Sequence, residues 1–333
     1  MPSKVPIEQV PVRQHRILAA GNLVKQYGSF RAVDDVSLSL ARGRTLALVG
    51  ESGSGKSTIA KMLGYLERPT AGTIALNGTP VPRRVSRQHR QQVQMVFQDP
   101  FASLNPAHTI GYTIARSLLI HRRCARAEIA DRTASLLDQV NLTPGSDFWS
   151  KLPHQLSGGQ RQRAAIATAL AVGPEVLLAD EPVSMLDVSI RVEILTLLQR
   201  LVAEQNLAML YITHDIASAR YFADDIVVLY KGRVVERGDA AMIVESPQHP
   251  YTQLLVAAAP KGGRQVQGAL PQTSRTGAAA PGKAALQTPS CAFADRCPKV
   301  LPRCTAERPP EIATSDSTLA ACWLHARPEG ETV

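Results

Sequence analysis

One stretch of the sequence combines the residue types that a phosphate-binding site needs: Gly50-Glu51-Ser52-Gly53-Ser54-Gly55-Lys56-Ser57-Thr58. Glycines let backbone N–H groups close around a phosphate chain. The helix that follows turns its positive end to the anion, Lys56 can reach the outer phosphates, and the Ser57 hydroxyl can bind Mg²⁺. By average composition the four fixed positions of such a loop would match by chance in roughly one chain of this length in a hundred. The apolar run Thr45 to Val49 before it and the helix-compatible segment Ile59 to Leu66 after it weaken the chance reading further. Nucleotide binding is the first expectation.

Phosphoryl transfer to water is catalysed by placement and charge neutralisation. It therefore needs a metal over the phosphates, a carboxylate for the attacking water and a polar group at the γ-phosphate. Asp180 and Glu181 end the apolar run Val176 to Ala179. Asp180 suits indirect Mg²⁺ binding, and Glu181, pointing differently, suits the general base. Gln98 and His214, each following an apolar run, can position water and γ-phosphate. Taken alone, an acidic pair is a helix cap or a solvated turn, and a single histidine is structural. Beside the phosphate loop the catalytic reading is favoured. A second anion site is expected where Leu156-Ser157-Gly158-Gly159-Gln160 opens a helix. Tyr27 either caps a small core or lies against a purine ring, and residue type does not separate these.

The elements that must position these groups read as alternating strands and helices. Ile17 to Gly43 suggests short strands with turns, with Tyr27 in a turn. Gly72 to Leu76, Gln92 to Phe97, Val176 to Ala179 and Ala208 to Thr213 read as strands. Ile226 to Tyr230 and Arg233 to Arg237 read as a pair around Lys231-Gly232. Between residues 101 and 173 the character turns helical, with amphipathic segments Arg126 to Val140 and Gly158 to Ala171. Arg191 to Val202 reads as a crossover helix. Several apolar strands thus finish in chemistry-bearing residues, as in open parallel sheets that bind ligands at their carboxyl edge.

Bulk properties narrow the class. A chain of 333 residues with 44% hydrophobic content can form one large or two ordinary domains. The net charge of +9 is uneven, with Arg83, Arg84, Arg87, Arg90, Arg116, Arg122, Arg123, Arg126 and Arg132 in one middle region. Few aromatics accompany them, which argues against a base-stacking surface; a solvated face or proximity to anionic lipid accounts for the charge. With no run of 18 apolar residues and no apolar segment in Met1 to Arg16, neither a membrane-spanning nor a secreted chain is expected.

The motifs together resemble an ABC transporter ATP-binding subunit. Residues 50 to 58 are similar to its Walker A loop, Gln98 to its Q-loop and Leu156 to Gln160 to its signature. Val176 to Glu181 match its Walker B strand and glutamate, Ser184 to Asp187 its D-loop, His214 its H-loop and Tyr27 its adenine-stacking aromatic. Met185 departs from the smaller residue usual in the D-loop. The resemblance implies a P-loop NTPase ABC cassette of the α/β class: a RecA-like core, an antiparallel β subdomain and a helical signature subdomain. The implied plan is a lead-in over 1–15, a cassette over 16–260 with its helical subdomain about 101–173, a linker over 261–288 and a cysteine-rich extension over 289–333.

Phe97-Gln98-Asp99-Pro100, Ser103-Leu104-Asn105-Pro106, His249-Pro250-Tyr251-Thr252 and the cysteine-rich end narrow the resemblance to the oligopeptide/dipeptide importers. That subfamily implies ATP and Mg²⁺, the latter at Ser57, Gln98 and Asp180. It implies a second ATP-binding subunit, two permeases and an extracytoplasmic peptide-binding protein, at the cytoplasmic face of the inner membrane. Ser157, Gly158, Gly159, Gln160 and Asp187 are implied to act on the partner's nucleotide, and the region after Gln98, including Ser103 and Leu104, is implied to receive a permease helix. Alternatives are an importer of nickel or glutathione-like cargo, and a soluble ABC ATPase acting on nucleic acid or ribosomes; no nucleic-acid partner is expected on the importer reading.

Cys291, Cys297, Cys304 and Cys322 crowd the C-terminal end, apart from Cys124. A cytosolic ATPase disfavours disulfides, and the short C-x2-C knuckles of structural zinc are absent. Thiolate ligation of iron–sulfur or zinc, or no ligation, remains open on the residues. The segment Cys291 to Pro298 resembles the end of dipeptide-type subunits, which implies a [4Fe–4S] cluster on the four cysteines.

Overall fold

The chain begins with a hairpin of two long strands, β1 (Arg16–Tyr27) and β2 (Phe30–Ala41), turned at Gly28, whose φ of 57° suits a residue without a side chain. The computed structural model describes residues 16–259 and 290–326, so the expected lead-in 1–15, the linker 261–288 and the last residues of the extension lie outside it. The short strands expected between Ile17 and Gly43 are instead one twelve-residue pair. Register shifts along the pair coincide with left-handed backbone at Asn22 and Asp35, whose side chains are joined by a 2.8 Å hydrogen bond.

After β3 (Thr45–Val49) come α1 (Lys56–Leu63), β4 (Ala71–Leu76), the short β5 (Thr79–Pro80), α2 (Arg87–Gln92) and β6 (Val93–Val96). The helical insertion holds α3 (Pro100–Ser103), α4 (Ile110–Ile120), α5 (Ile129–Gln139) and α6 (Gly158–Leu170). Helix α4 was not marked by sequence periodicity. Thr109 starts it by accepting the Tyr112 N–H at 3.2 Å. Then follow β7 (Val176–Asp180), α7 (Val188–Gln205), β8 (Ala208–Thr213), α8 (Ile216–Phe222), β9 (Asp225–Tyr230), β10 (Arg233–Asp239), α9 (Ala240–Glu245) and α10 (Pro250–Ala258). The C-terminal unit adds α11 (Pro302–Ala306), β11 (Ile312–Ser315) and β12 (Thr318–Ala320).

Two sheets result among the described residues: a four-stranded antiparallel one in the order β2-β1-β4-β5, and an eight-stranded one in the order β11-β12-β10-β9-β3-β8-β7-β6. Within the second, β9, β3, β8, β7 and β6 run parallel, and β10, β12 and β11 pair antiparallel at one edge. Strand β8 explains why the parallel part is apolar throughout. Met209 and Tyr211 belong to the core on one face, with the helical insertion and α7, while Ala208, Leu210 and Ile212 belong to the other, with α1 and the antiparallel sheet.

The C-terminal unit shares this core. Phe293, 1% exposed, packs with Tyr230, Tyr251 and His249 at ring-centroid distances of 5.2, 5.4 and 5.8 Å. Strand β12 extends the sheet through β10. Phe293→Ala is expected to lower unfolding free energy in urea by about 3–5 kcal/mol and to expose the C-terminal unit to limited proteolysis. Wild-type values for both would contradict this packing.

Candidate nucleotide site

The parallel strands bring the expected residues to one edge. Strands β3, β8, β7 and β6 are successive neighbours, and at their carboxyl ends stand Gly50, His214, Asp180-Glu181 and Gln98. Cross-strand pairs Val49↔Thr213, Asp180↔Ile212 and Val96↔Ala179 keep those ends level. One slip of register would displace a group from this row.

The loop between β3 and α1 can take no side chain at two positions. A Cβ at Gly50 would lie 2.2 Å from the Leu229 carbonyl oxygen. At Gly55, φ 100°, it would lie 2.4 Å from that of Ala32. Lys56, 4% exposed, donates to the carbonyls of Gly50 at 2.7 Å and Glu51 at 2.9 Å. Burial pulls its ammonium below the ordinary value, while Glu181, Asp180 and Glu51 hold it up. The Ser54 hydroxyl is enclosed without a hydrogen-bond partner among the described residues, on the side of the loop where a Gly50 Cβ would stand. Gly53 has left-handed backbone, φ 77°, with open space where a Cβ would stand. Ser52 and Thr58 complete the loop, and Thr58 stands beside the Tyr27 hydroxyl.

Ser57 Oγ donates to Asp180 Oδ1 at 3.1 Å, so the hydroxyl and carboxylate suited to Mg²⁺ already meet. Burial pushes the Asp180 carboxyl up and Glu181 adds to this, against the Ser57 bond and the Lys56 charge. Glu181 has left-handed backbone, φ 45°, fixed by its N–H on the Ile212 carbonyl at 3.0 Å and by Ser184, which donates twice to the Glu181 carbonyl. Its Oε2 accepts from Gln98 Nε2 at 3.2 Å and stands 3.4 Å from His214 Nδ1. Gln98 thus reaches Glu181 rather than the Ser57–Asp180 pair with which it was grouped.

Tyr27 closes β1, one residue before the turn. Its ring is exposed and outside both core clusters, and its hydroxyl donates to Glu67. That removes the core-cap reading; the Lys25 ammonium lies 4.9 Å from the ring centroid, and the ring is otherwise open to solvent beside α1.

Ser157 to Gln160 are placed elsewhere. Ser157 caps α6 by accepting the Gln160 N–H at 3.3 Å, and Gln160 Oε1 returns a bond to the Ser157 N–H at 3.0 Å. A Cβ at Gly159 would lie 2.7 Å from Ile190 of α7, so this helix start is pressed onto the segment around Asp187, the N-cap position of α7. Met185 and Val188, 65% and 75% exposed, stand on that segment.

The cysteines converge without completing a cage. Burial pushes the Cys291 and Cys297 thiols up, and that of Cys322 to about 11, and each lies within electrostatic reach of others of the four. Among the described residues, however, no group of three or more His, Cys, Asp or Glu stands where it could hold a metal ion. The donor chemistry fits thiolate ligation; the spacing expected of a finished [4Fe–4S] site is not met.

Comparison with known proteins places these features in a family. An ABC transporter family profile matches residues 33–184, and one for the oligopeptide/dipeptide transporter C-terminal region matches residues 235–304. The di/tripeptide transport ATP-binding protein DppF of Pseudomonas aeruginosa is 41% identical over 90% of this chain and 92% of its own length. The chain belongs to the oligopeptide/dipeptide ABC transporter ATP-binding subunits. The oligopeptide transport ATP-binding protein AppF of Bacillus subtilis is 36% identical over 96% of this chain and 97% of its own length. Among solved structures, cbiO1 from Clostridium perfringens matches at TM-score 0.63 with 27% identity, covering 70% of this chain and 92% of that one. An ATP-binding cassette in a dimeric post-hydrolysis state with ADP and Pi matches at 0.60 with 30% identity, covering 67% and 99%.

Residues outside the expected set support the loop from behind. Tyr251 Oη accepts the Glu51 N–H at 3.0 Å. His249 caps α10 by accepting the Tyr251 N–H on Nδ1 at 3.0 Å, and buried Glu236 accepts from the Gln248 and His249 N–H groups at 2.7 and 2.9 Å. The subfamily motif His249 to Thr252 signalled this, but without its partners its purpose was illegible. Burial pushes the His249 imidazole from 6.5 down to about 4, so the folded chain resists a proton that the unfolded chain takes up. The stability this lends is present above pH 6.5 and is lost as pH falls toward 4, at about 1.4 kcal/mol per pH unit. Denaturant titrations across that window are expected to show the slope in the wild type and a flatter one in His249→Asn, which keeps a capping acceptor; equal slopes would contradict it.

Proposed function

We propose that this chain is the ATP-hydrolysing subunit of a peptide importer, with ATP bound by the 50–58 loop and water activated by Glu181. The observation that carries this is the row of four adjacent strand ends holding Gly50, His214, Asp180-Glu181 and Gln98. In that row Lys56 meets the phosphates, and Ser57 with Asp180 would hold Mg²⁺, while Gln98, expected as a third group there, stands on Glu181; the ion, when bound, neutralises phosphate charge. Glu181 Oε2, between Gln98 and His214, takes the proton of the attacking water, and His214 faces the γ-phosphate. Tyr27 offers its exposed ring to the adenine.

The second half of the site comes from another cassette in this reading. Ser157, Gly158, Gly159 and Gln160 open α6 with Ser157 exposed, and the neighbouring Met185, Val188 and Val192 leave apolar surface to be covered. Two permeases fed by an extracytoplasmic peptide-binding protein complete the assembly, with this chain peripheral at the cytoplasmic face of the membrane. No helix among the described residues is long and apolar enough to cross a membrane. Ser103 and Leu104 were expected to meet a permease, but Leu104 is buried. Exposed Tyr112, Leu119 and Ile120 on α4 fit that contact instead.

Glu181→Gln is expected to retain ATP binding and to lower turnover about 10²- to 10⁴-fold in the assembled transporter, whereas Lys56→Ala loses binding itself. Wild-type hydrolysis by the Gln variant would refute the assignment.

We further propose that Cys291, Cys297, Cys304 and Cys322 take up a [4Fe–4S] cluster of structural role. The four-thiol donor set, and the Cys291 N–H bond to the Cys304 carbonyl at 2.9 Å, support it. Anaerobically purified chain should carry about four irons and absorb near ~400 nm. Iron-free chain with four titratable thiols would exclude the cluster.

A further inference from the structure

The C-terminal unit grips the phosphate loop. Arg296, ending the turn Ala294–Arg296, donates from Nη1 to Glu51 Oε2 at 3.0 Å and from Nη2 to Glu51 Oε1 at 3.1 Å. Nη1 also meets Tyr230 Oη at 3.4 Å, and the guanidinium lies 5.8 Å from the ring centroids of Tyr230 and Phe293. Phe293 is seated in the core, which fixes where that arginine emerges. Besides the bonds to its carbonyl, Glu51 is therefore held at its N–H by Tyr251 Oη and at its carboxylate by the Arg296 fork. None of the groups assigned to hydrolysis needs this fork.

A carboxylate in a loop that cradles a polyanion is a liability. Glu51 lies near enough to Lys56 to act on its charge, so it is near enough to repel phosphates bound there. A bidentate fork both cancels that charge and fixes the carboxylate on Arg296.

We propose that Arg296 is a positioning residue for ATP: by neutralising and orienting Glu51 it removes a repulsion from the phosphate loop and makes the C-terminal unit a working part of the nucleotide site. The proposal rests on the 50–58 loop holding the ATP phosphates. A merely structural fork would act differently. Both side chains are nearly half exposed, 46% and 44%, so removing both partners would then leave ATP affinity as it was after removing either.

The test titrates the full chain with a fluorescent, non-hydrolysable ATP analogue and Mg²⁺. Wild type is compared with Arg296→Ala, Arg296→Lys, Glu51→Gln, the Glu51→Gln/Arg296→Ala double variant and Lys56→Ala. Arg296→Ala is expected to weaken binding about two- to fivefold at low salt, with the loss shrinking as ionic strength rises. Arg296→Lys restores part of it, and the double variant binds as tightly as Glu51→Gln alone. Wild-type affinity in Arg296→Ala overturns the proposal. So does a double variant as weak as Arg296→Ala, the outcome if the single change had merely loosened the C-terminal unit. Undiminished binding by Lys56→Ala refutes the loop assignment instead, separately from Arg296.

Discussion

A buried ammonium sets the terms for the rest of this molecule. Lys56 is almost fully enclosed, held by the Gly50 and Glu51 carbonyls, and an enclosed cation is tolerated only where dipoles and opposite charge surround it. Asp180 and Glu181 supply that charge from β7, and β8 stands between β7 and β3. Parallel strands about 4.8 Å apart put the two ends roughly two spacings from each other, a gap that the Ser57–Asp180 hydrogen bond and the lysine field close. The sheet order is thus an electrostatic requirement as much as a packing one. Any phosphate entering the loop completes a charge pattern that the fold already holds partly open.

The support behind that loop comes from distant sequence. The Lys231-Gly232 turn donates a Gly232 N–H to the Ser54 carbonyl, Tyr251 receives the Glu51 N–H, and the C-terminal unit contributes Phe293 beneath and Arg296 beside it. Buried Glu236 and His249 meet backbone partners, with His325 within electrostatic reach of both, which lets two polar side chains sit in a core. The edge strands β12 and β11 continue the sheet past β10, so the C-terminal unit is covalently late but structurally central.

Among the exposed apolar residues of the described chain, two sets lie in the segments expected to meet partners. One surrounds Met185 and Val188 beside the glycine-opened α6, and the other lies on α4 at Tyr112, Leu119 and Ile120. They occupy different elements, which suits different partners.

The sequence by itself determined the phosphate loop, the acidic strand end, Gln98, His214 and the alternating α/β order, because glycines, apolar runs and terminal carboxylates are local signals. It misjudged the length of the β1–β2 hairpin, where bulges at Asn22 and Asp35 are set by cross-strand contact, and it left α4 unmarked. It marked Cys291, Cys297, Cys304 and Cys322 as a set but could not say how far apart their sulfurs would stand. Only the tertiary structure decided that Gln98 and His214 converge on Glu181, that Tyr27 stays out of the core, and that Arg296 closes on a glutamate 245 positions earlier. Those facts depend on strand order and on packing between segments remote in the chain, and no local pattern of residue types encodes a distance across a sheet.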